Sequence, residues 1–310
     1  MRGGVGIALF VLGFGEGAVD VSKNDQAVRV ERDWNKPIMS SLHAFFSVGA
    51  VVGAGVGAMM QSFDLHLFWS LGFGAVVVLG VMGASIRYLL PPSGPGEIEA
   101  VVSAAEDVPV RDVRRRIVAL AALAFFLMLA EGVAHDWSAL HAVQDIDASE
   151  AAGSLAFGAF ALAMTIDRLF ADRVSHRIGP VRVVRYGSAI AAGGMLIVIT
   201  STMYPVTLAG WLVFGLGLSG TVPQLFTAAG NLGAKNQGQV MARVVSAGYV
   251  GLLAGPAVIG WISHHTGLST AFFLPFVLCL AGTLLARNAA PLAPRPYSRV
   301  DPVPRVSIRA

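Results

Sequence analysis

The chain carries one cysteine, Cys279, in 310 residues. A lone thiol cannot build a disulfide framework or a thiolate metal site, so both are excluded, and thiol redox chemistry with them. Charge is also scarce: Asp, Glu, Lys and Arg together make up 13% of the residues, about half the share of an ordinary soluble domain. Hydrophobic residues make up 55% and mean hydropathy is +0.67, which leaves too little polar surface to cover a water-soluble fold. No nucleophile paired with a base and no phosphate-binding loop stands out. The glycine runs lie within apolar stretches, not at a strand–turn–helix junction, so neither an enzyme nor a nucleotide site is expected, and no cofactor. His264-His265 has no carboxylate or cysteine at ligand spacing and reads as interfacial, not metal-binding. The first apolar stretch lacks a small-x-small cleavage site before Asp20 and is interrupted by Glu16, unlike a signal peptide.

What the chain does have is long apolar segments. They run from Gly4 to Ser22, Met39 to Met60, Leu67 to Leu89, Ile117 to Trp137, Ser149 to Phe170, Val183 to Ser201, Val206 to Ala228, Val244 to His264 and Ser269 to Arg287. Each is about 19 to 23 residues, enough for a helix to cross a hydrocarbon core of about 30 Å. The fold class expected is therefore all-α and membrane-integral, with nine transmembrane helices. Twenty-one of the 22 Lys and Arg residues fall in alternate gaps between segments, and Arg2 alone lies opposite. By the positive-inside rule those gaps and the C-terminus face the cytoplasm, which makes the chain a multi-pass protein of the cell (inner) membrane. The sequence pI near 9.3 has the same origin. Its basic residues flank apolar helices and do not form one face with interleaved aromatics, so nucleic acid is not an expected partner.

A repeat of about 200 residues organises the segments. Gly13-Phe-Gly15-Glu-Gly17 resembles Gly215-Leu-Gly217-Leu-Ser-Gly220 at an offset of 202, and Ser47-Val-Gly49 with Gly53 and Gly55 parallels Ser246-Ala-Gly248 with Gly251 and Gly255 at an offset of 199. Both pairs skip six helices, an even number, so the two copies keep one orientation, the parallel two-half plan of many secondary transporters. If the second half starts near Ile117, the first copy would begin roughly 85 residues and three helices ahead of Met1. The expected divisions are a partial three-helix bundle over 1–90, a cytoplasmic linker over 91–116, a six-helix bundle over 117–287, and a disordered basic tail over 288–310.

At this point the residues carry a family resemblance. A six-plus-six plan, a long middle loop, and the loop Asp172-Arg173 with Arg177-Ile-Gly179-Pro180 and Arg182 resemble the major facilitator superfamily. That loop is similar to a degenerate second copy of the family's Gly-x-Leu-Ala-Asp-Arg-x-Gly-Arg signature. Gly17-Ala-Val-Asp20-Val-Ser-Lys-Asn24-Asp-Gln-Ala27, His43-Ala-Phe-Phe-Ser47, Glu131-Gly-Val-Ala-His-Asp136-Trp137 and Tyr249-Val-Gly251 with Gly255-Pro256 are similar to an uncharacterised bacterial branch of it. The chain departs from the signature where Asp167 and Arg168 take the place of the expected glycine and extra residues precede Gly179. The resemblance implies a gate in which the loop carboxylate, Asp172 with Arg173 and Arg177 around it, closes on the N-terminus of a helix of the other half, here Pro37 to Ser41.

Polar groups within a membrane helix cost about 2.5 to 3.5 kcal/mol each on insertion scales, which singles out a few residues. Glu16, Asp20 and Asn24 are spaced by four and share one face of the first helix. Glu16 lies near mid-membrane by count. His43 falls at about the depth of Asp20 on the antiparallel second helix, so the two are expected to meet. Glu131 stands in the outer half of the fourth segment, with His135, Asp136 and Trp137 following at the outer interface. Glu16, Asp20, Asn24, His43 and Glu131 are the candidate substrate and proton sites, since a carboxyl in low dielectric can take up and release a proton during a cycle. The function expected is secondary active transport of a small solute, coupled to protons, by alternating access across the lipid bilayer. A truncated membrane protein that does not transport is the alternative.

Overall fold

The computed structural model describes residues 2–34, 36–63, 67–91, 110–232 and 237–290. These residues are helical with short connections. In chain order the helices are α1 (Arg2–Trp34), α2 (Met39–Ser62), α3 (Leu67–Ser85), α4 (Val110–Gln144), α5 (Glu150–Ile178), α6 (Pro180–Thr200), α7 (Tyr204–Ser219), α8 (Thr221–Gly230), α9 (Gln237–Thr266), α10 (Leu268–Ala271) and α11 (Phe273–Leu285). Helices α7 and α8 form one span, Tyr204–Gly230, and α10 and α11 form another, Leu268–Ala289. Seven spans among the described residues are long and apolar enough to cross a membrane, from Phe68–Tyr88 onward. Helices α1 and α2, of 33 and 24 residues, precede them where the first two apolar segments lie.

Local sequence sets the helix limits. Ser149 caps α5 by accepting from the Ala152 N–H at 3.2 Å, and Glu150 adds an anion to that first turn. Gly179 ends α5 at φ 83°, a conformation that favours glycine, and Pro180 opens α6 at once, where its missing N–H costs nothing. The helices outrun the apolar segments that mark them. Helix α1 continues past Ser22 to Trp34 and α5 past Phe170 to Ile178, which carries their last turns beyond the apolar span. Residues 110–116, assigned to the linker by composition, are the first turns of α4. The remainder of that linker from 92, and the tail from 291, lie outside the described residues.

The core belongs to the second half. Helix α4 packs along α9, α6 along α7 and α11, and α5 along α7, around the fully buried Trp211, Phe160, Phe214, Phe272, Leu123, Leu127 and Met195. Small residues allow the approach. A Cβ on Gly251 or on Gly132 would overlap backbone atoms of Phe125 and Leu252 respectively, so the α4–α9 contact is backbone on backbone. Helices α1 and α2 join this core at one end only. Asp20, Asn24, Ala27, Val28 and Glu31 of α1, and Met39, Ser40 and Ala44 of α2, are buried, whereas most described residues nearer the other end are exposed. That contact end carries the arginine-rich loops and is called the basic end below. Helix α3 has no buried residue in its Phe68–Tyr88 span. Its end is tied to α1 by Gln26, which donates to Leu90 O at 3.1 Å and accepts from Leu90 N–H at 3.0 Å.

Candidate functional site

At the basic end the first turn of α2 is held by two carboxylates. Glu31, at the end of α1, accepts through Oε2 from the N–H groups of Ile38 and Met39 at 3.1 and 3.0 Å. Asp172, from α5 in the second half, accepts from Ser40 N–H at 3.0 Å on Oδ1 and from Ser41 N–H at 2.7 Å on Oδ2. Amides that have no partner within their own helix are thus satisfied by anions at the positive end of the helix dipole. Asp172 is 7% exposed and Ser40 is fully buried, so water does not compete for these bonds. Glu31 lies beyond the Gly4–Ser22 span. Burial pushes its carboxyl above the ordinary value of 4.5, its three hydrogen-bond donors pull it down, and Asp172 nearby adds to the rise. Arg32 reciprocates: its guanidinium donates to Gly230 O at 3.0 Å, the carbonyl end of α8. Ser175 and Gln224 tie α5 to α8 beside it at 2.7 Å.

Deeper in the bundle lies an ion pair. Arg168 Nη2 donates to Glu131 Oε1 at 3.3 Å, with side chains 10% and 14% exposed. Glu131 is thirteen residues, about 20 Å, from the Gln144 end of α4, and Arg168 is ten residues, about 15 Å, from the Ile178 end of α5. The pair is therefore near mid-depth from either side. His135 Nε2 stands 4.0 Å from the same Glu131 oxygen. Asp167 does not join the pair; its carboxylate takes the Ser219 hydroxyl. Arg168 also feels His43 of α2 across the gap between halves. Tyr249 of α9 lies close enough to Asp20, Glu16 and Glu131 for their carboxylates to act on it. Residues of α1, α2, α4, α5 and α9 are thus electrostatically linked around the pair.

The sequence-derived candidates fall into place unevenly. Asp20 and Asn24 are buried and bonded to each other at 3.2 Å, and Asp20 also pairs with Lys23. His43 does not bond Asp20; its Nδ1 lies 2.9 Å from Met39 O, one turn back, and its ring packs on Phe226. Glu16, expected to be enclosed, is exposed. Arg173 and Arg177 are exposed at the basic end, Arg173 over the Phe170 ring, and neither reaches α2. Arg168 corrects the charge count, which placed it in a loop. It is buried, because α5 continues two turns past the end of its apolar segment and carries the guanidinium inward. Its position inside the stretch Ser149 to Phe170 was the signal for this. Glu31 had none, since it reads as one acid in a charged stretch.

At the opposite end Asp145 accepts from Ser269 N–H at 3.1 Å, and buried His141 lies 3.3 Å from the Ser269 hydroxyl. A shallow crevice of about 360 Å³ opens beside them, lined by Trp137, Gln144, Asp145 and His264 among others. Among the described residues no three His, Cys, Asp or Glu side chains converge as metal ligands.

A family model described as Major Facilitator Superfamily matches residues 120–309. The chain belongs to that superfamily. A protein of Yersinia pestis named as an uncharacterized MFS-type transporter is 34% identical over 282 residues, which are 91% of this chain and 71% of that protein. Membrane protein MosC of Rhizobium meliloti is 28% identical over 285 residues, 90% of this chain and 66% of that one. Among solved structures, the superfamily transporter FucP in its outward conformation superposes with a TM-score of 0.63 at 16% identity, covering 81% of this chain and 67% of that one. The human organic anion transporter MFSD10 gives 0.57 at 20% identity, covering 80% of this chain and 62% of that one. At such identities these two likenesses show the fold alone. The superfamily makes this chain a multi-pass membrane transporter, not an enzyme.

Proposed function

We propose that this chain works as a secondary active transporter of a small solute, driven by protons, that opens a central site to one side of the membrane at a time. The basic end and the C-terminus face the cytoplasm in this reading, as the positive-inside rule favours, and the membrane is the cell's inner one. Glu16, Asp20, Asn24, His43 and Glu131 line the path of solute and proton. Asp172 is the gate carboxylate, and Arg173 and Arg177 hold that end of α5 at the membrane surface. The observation that carries this reading is the Asp172 carboxylate on the Ser40 and Ser41 amides. These two hydrogen bonds join the halves beside a small apolar contact of Ala27, Val28 and Met39, with no covalent link. Such a contact suits an element that must break in every cycle.

The test uses the chain's single cysteine, buried Cys279, as a silent background. A cysteine at the buried position Ser40 is expected to label slowly with a membrane-impermeant maleimide applied at the basic end. Asp172→Asn removes the anion from the helix end, worth about 0.3 to 1 kcal/mol, and is expected to raise the labelling rate up to about fivefold. Unchanged labelling would leave Asp172 an ordinary helix cap and remove the gate.

A further inference from the structure

The Glu131–Arg168 pair is open on one side. Arg168 has five N–H donors. Nη2 uses one on Glu131 at 3.3 Å, and Nε uses one on Ser219 O at 3.5 Å, a long bond. Its sequence neighbour Asp167 is turned away onto Ser219. The other three donors have no acceptor among the described residues, and Nη1, which carries two of them, is not sealed off from water. A guanidinium bound on one edge and bare on the other presents a planar fork that matches a carboxylate.

Resting on the transporter reading above, we propose that Arg168 is the binding site for the carboxylate of an anionic solute, and that the solute displaces Glu131, which takes up the accompanying proton. Charge decides the form of the exchange. At rest the pair is neutral, Glu131 negative and Arg168 positive. Once a monocarboxylate sits on Arg168 and a proton on Glu131, the site is neutral again, so one proton accompanies one anion and no net charge crosses. A second negative charge would be left unbalanced, because the pair holds one cation, and a phosphomonoester is disfavoured for that reason. Other ionisable groups lie around the pair, some of them exposed: Glu16, Asp20 and Lys23 on α1, His43 on α2, His135 on α4, Asp167 on α5 and Tyr249 on α9. Of these, Asp20 is neutralised by Lys23 and Asp167 is engaged by Ser219, whereas His135 stands 4.0 Å from Glu131 and competes for the proton.

The experiment measures binding by the shift in thermal unfolding of the purified chain, with matched probes: D-glucuronate and D-glucose, D-gluconate and D-glucitol, benzoate and benzamide, and glucose 6-phosphate. At least one monocarboxylate is expected to stabilise the chain where its neutral counterpart and the phosphomonoester do not. Its apparent Kd is expected to weaken about tenfold per pH unit on the alkaline side, the slope of one proton taken up per anion. Glu131→Gln, which mimics the protonated carboxyl, is expected to bind the anion more tightly at pH 7.5 and to flatten that slope. Arg168→Lys keeps the charge but loses the fork and is expected to bind at least several-fold more weakly. His135→Gln is expected to keep the slope. Binding of no monocarboxylate, binding equal in the neutral counterparts, or a slope that survives Glu131→Gln and disappears with His135→Gln would each overturn the proposal. Flux through proteoliposomes separates the two readings. Anion binding with these mutant effects but no solute flux keeps the site and removes the transporter. Flux of a neutral solute, indifferent to Arg168→Lys, keeps the transporter and removes the anion site.

Discussion

Two glycine rows with one sequence pattern meet opposite surroundings. In α1, Gly13, Gly15 and Gly17 have no atom within 4 Å of where a Cβ would stand, whereas in α7 a Cβ on Gly215 or Gly217 would overlap backbone atoms of Phe160 and Ala191. The next helices repeat the contrast. Gly49 and Gly53 of α2 face open space, while Gly251 of α9 lies against Phe125 O and Gly255 would place a Cβ 2.8 Å from Leu129 O. A row of small residues therefore states how close a neighbour could come and leaves open whether one does. The charged groups divide the same way. In the first half Asp20 pairs with Lys23, 48% exposed and free to reach water, while in the second half both Glu131 and Arg168 are largely buried.

The ion pairs sharpen the comparison most. Arg168→Met leaves a buried carboxylate alone and is expected to cost about 3 to 5 kcal/mol, with most of it regained in the double variant Arg168→Met, Glu131→Gln. Lys23→Met removes a half-exposed partner and leaves buried Asp20 still bonded to Asn24, and is expected to cost less, about 1 to 2 kcal/mol. Thermal unfolding in detergent measures both, and equal losses would erase the contrast. The glycines come next. Gly251→Ala forces α4 and α9 apart and is expected to cost about 1 to 3 kcal/mol. Gly15→Ala is expected to be neutral or to stabilise by up to about 1 kcal/mol, since alanine is the better helix former and nothing stands in its way. A destabilising Gly15→Ala would mean that α1 has a close neighbour on that face.

The smallest effect concerns Glu31, where the halves touch. Its folded carboxyl keeps its proton to higher pH than the unfolded one, because burial outweighs its hydrogen bonds. Its contribution to stability is therefore fully present below the ordinary value of 4.5 and falls as pH rises through the folded value. Glu31→Gln keeps an oxygen acceptor for the Ile38 and Met39 amides and is expected to flatten that fall. The gain should appear at pH 7 and vanish near pH 4, as read from unfolding midpoints across the range. A variant that loses stability at pH 7 but not near pH 4 would show that the carboxylate charge itself holds α2.

Much of this protein was legible along the chain because the membrane imposes one-dimensional rules. Length and hydropathy mark the helices, since backbone groups in hydrocarbon must bond within their own segment. Gly179-Pro180 and Ser149 mark their ends because φ, the missing proline N–H and side-chain capping are local properties. Asp172 opposite Pro37 to Ser41 was also expected, through the resemblance, and its carboxylate meets Ser40 and Ser41 there. The tertiary structure alone decided which charges share a site. Arg168 counted as a loop cation until α5 carried it against Glu131, and His43 stayed with its own helix where sequence depth matched it to Asp20. Depth along a helix follows from residue number, but the direction in which a side chain faces its neighbours follows from how helices rotate and slide when they pack. No single segment holds that information, so the partners of Glu131, Arg168, Glu31 and Tyr249 appear only once the helices are brought together.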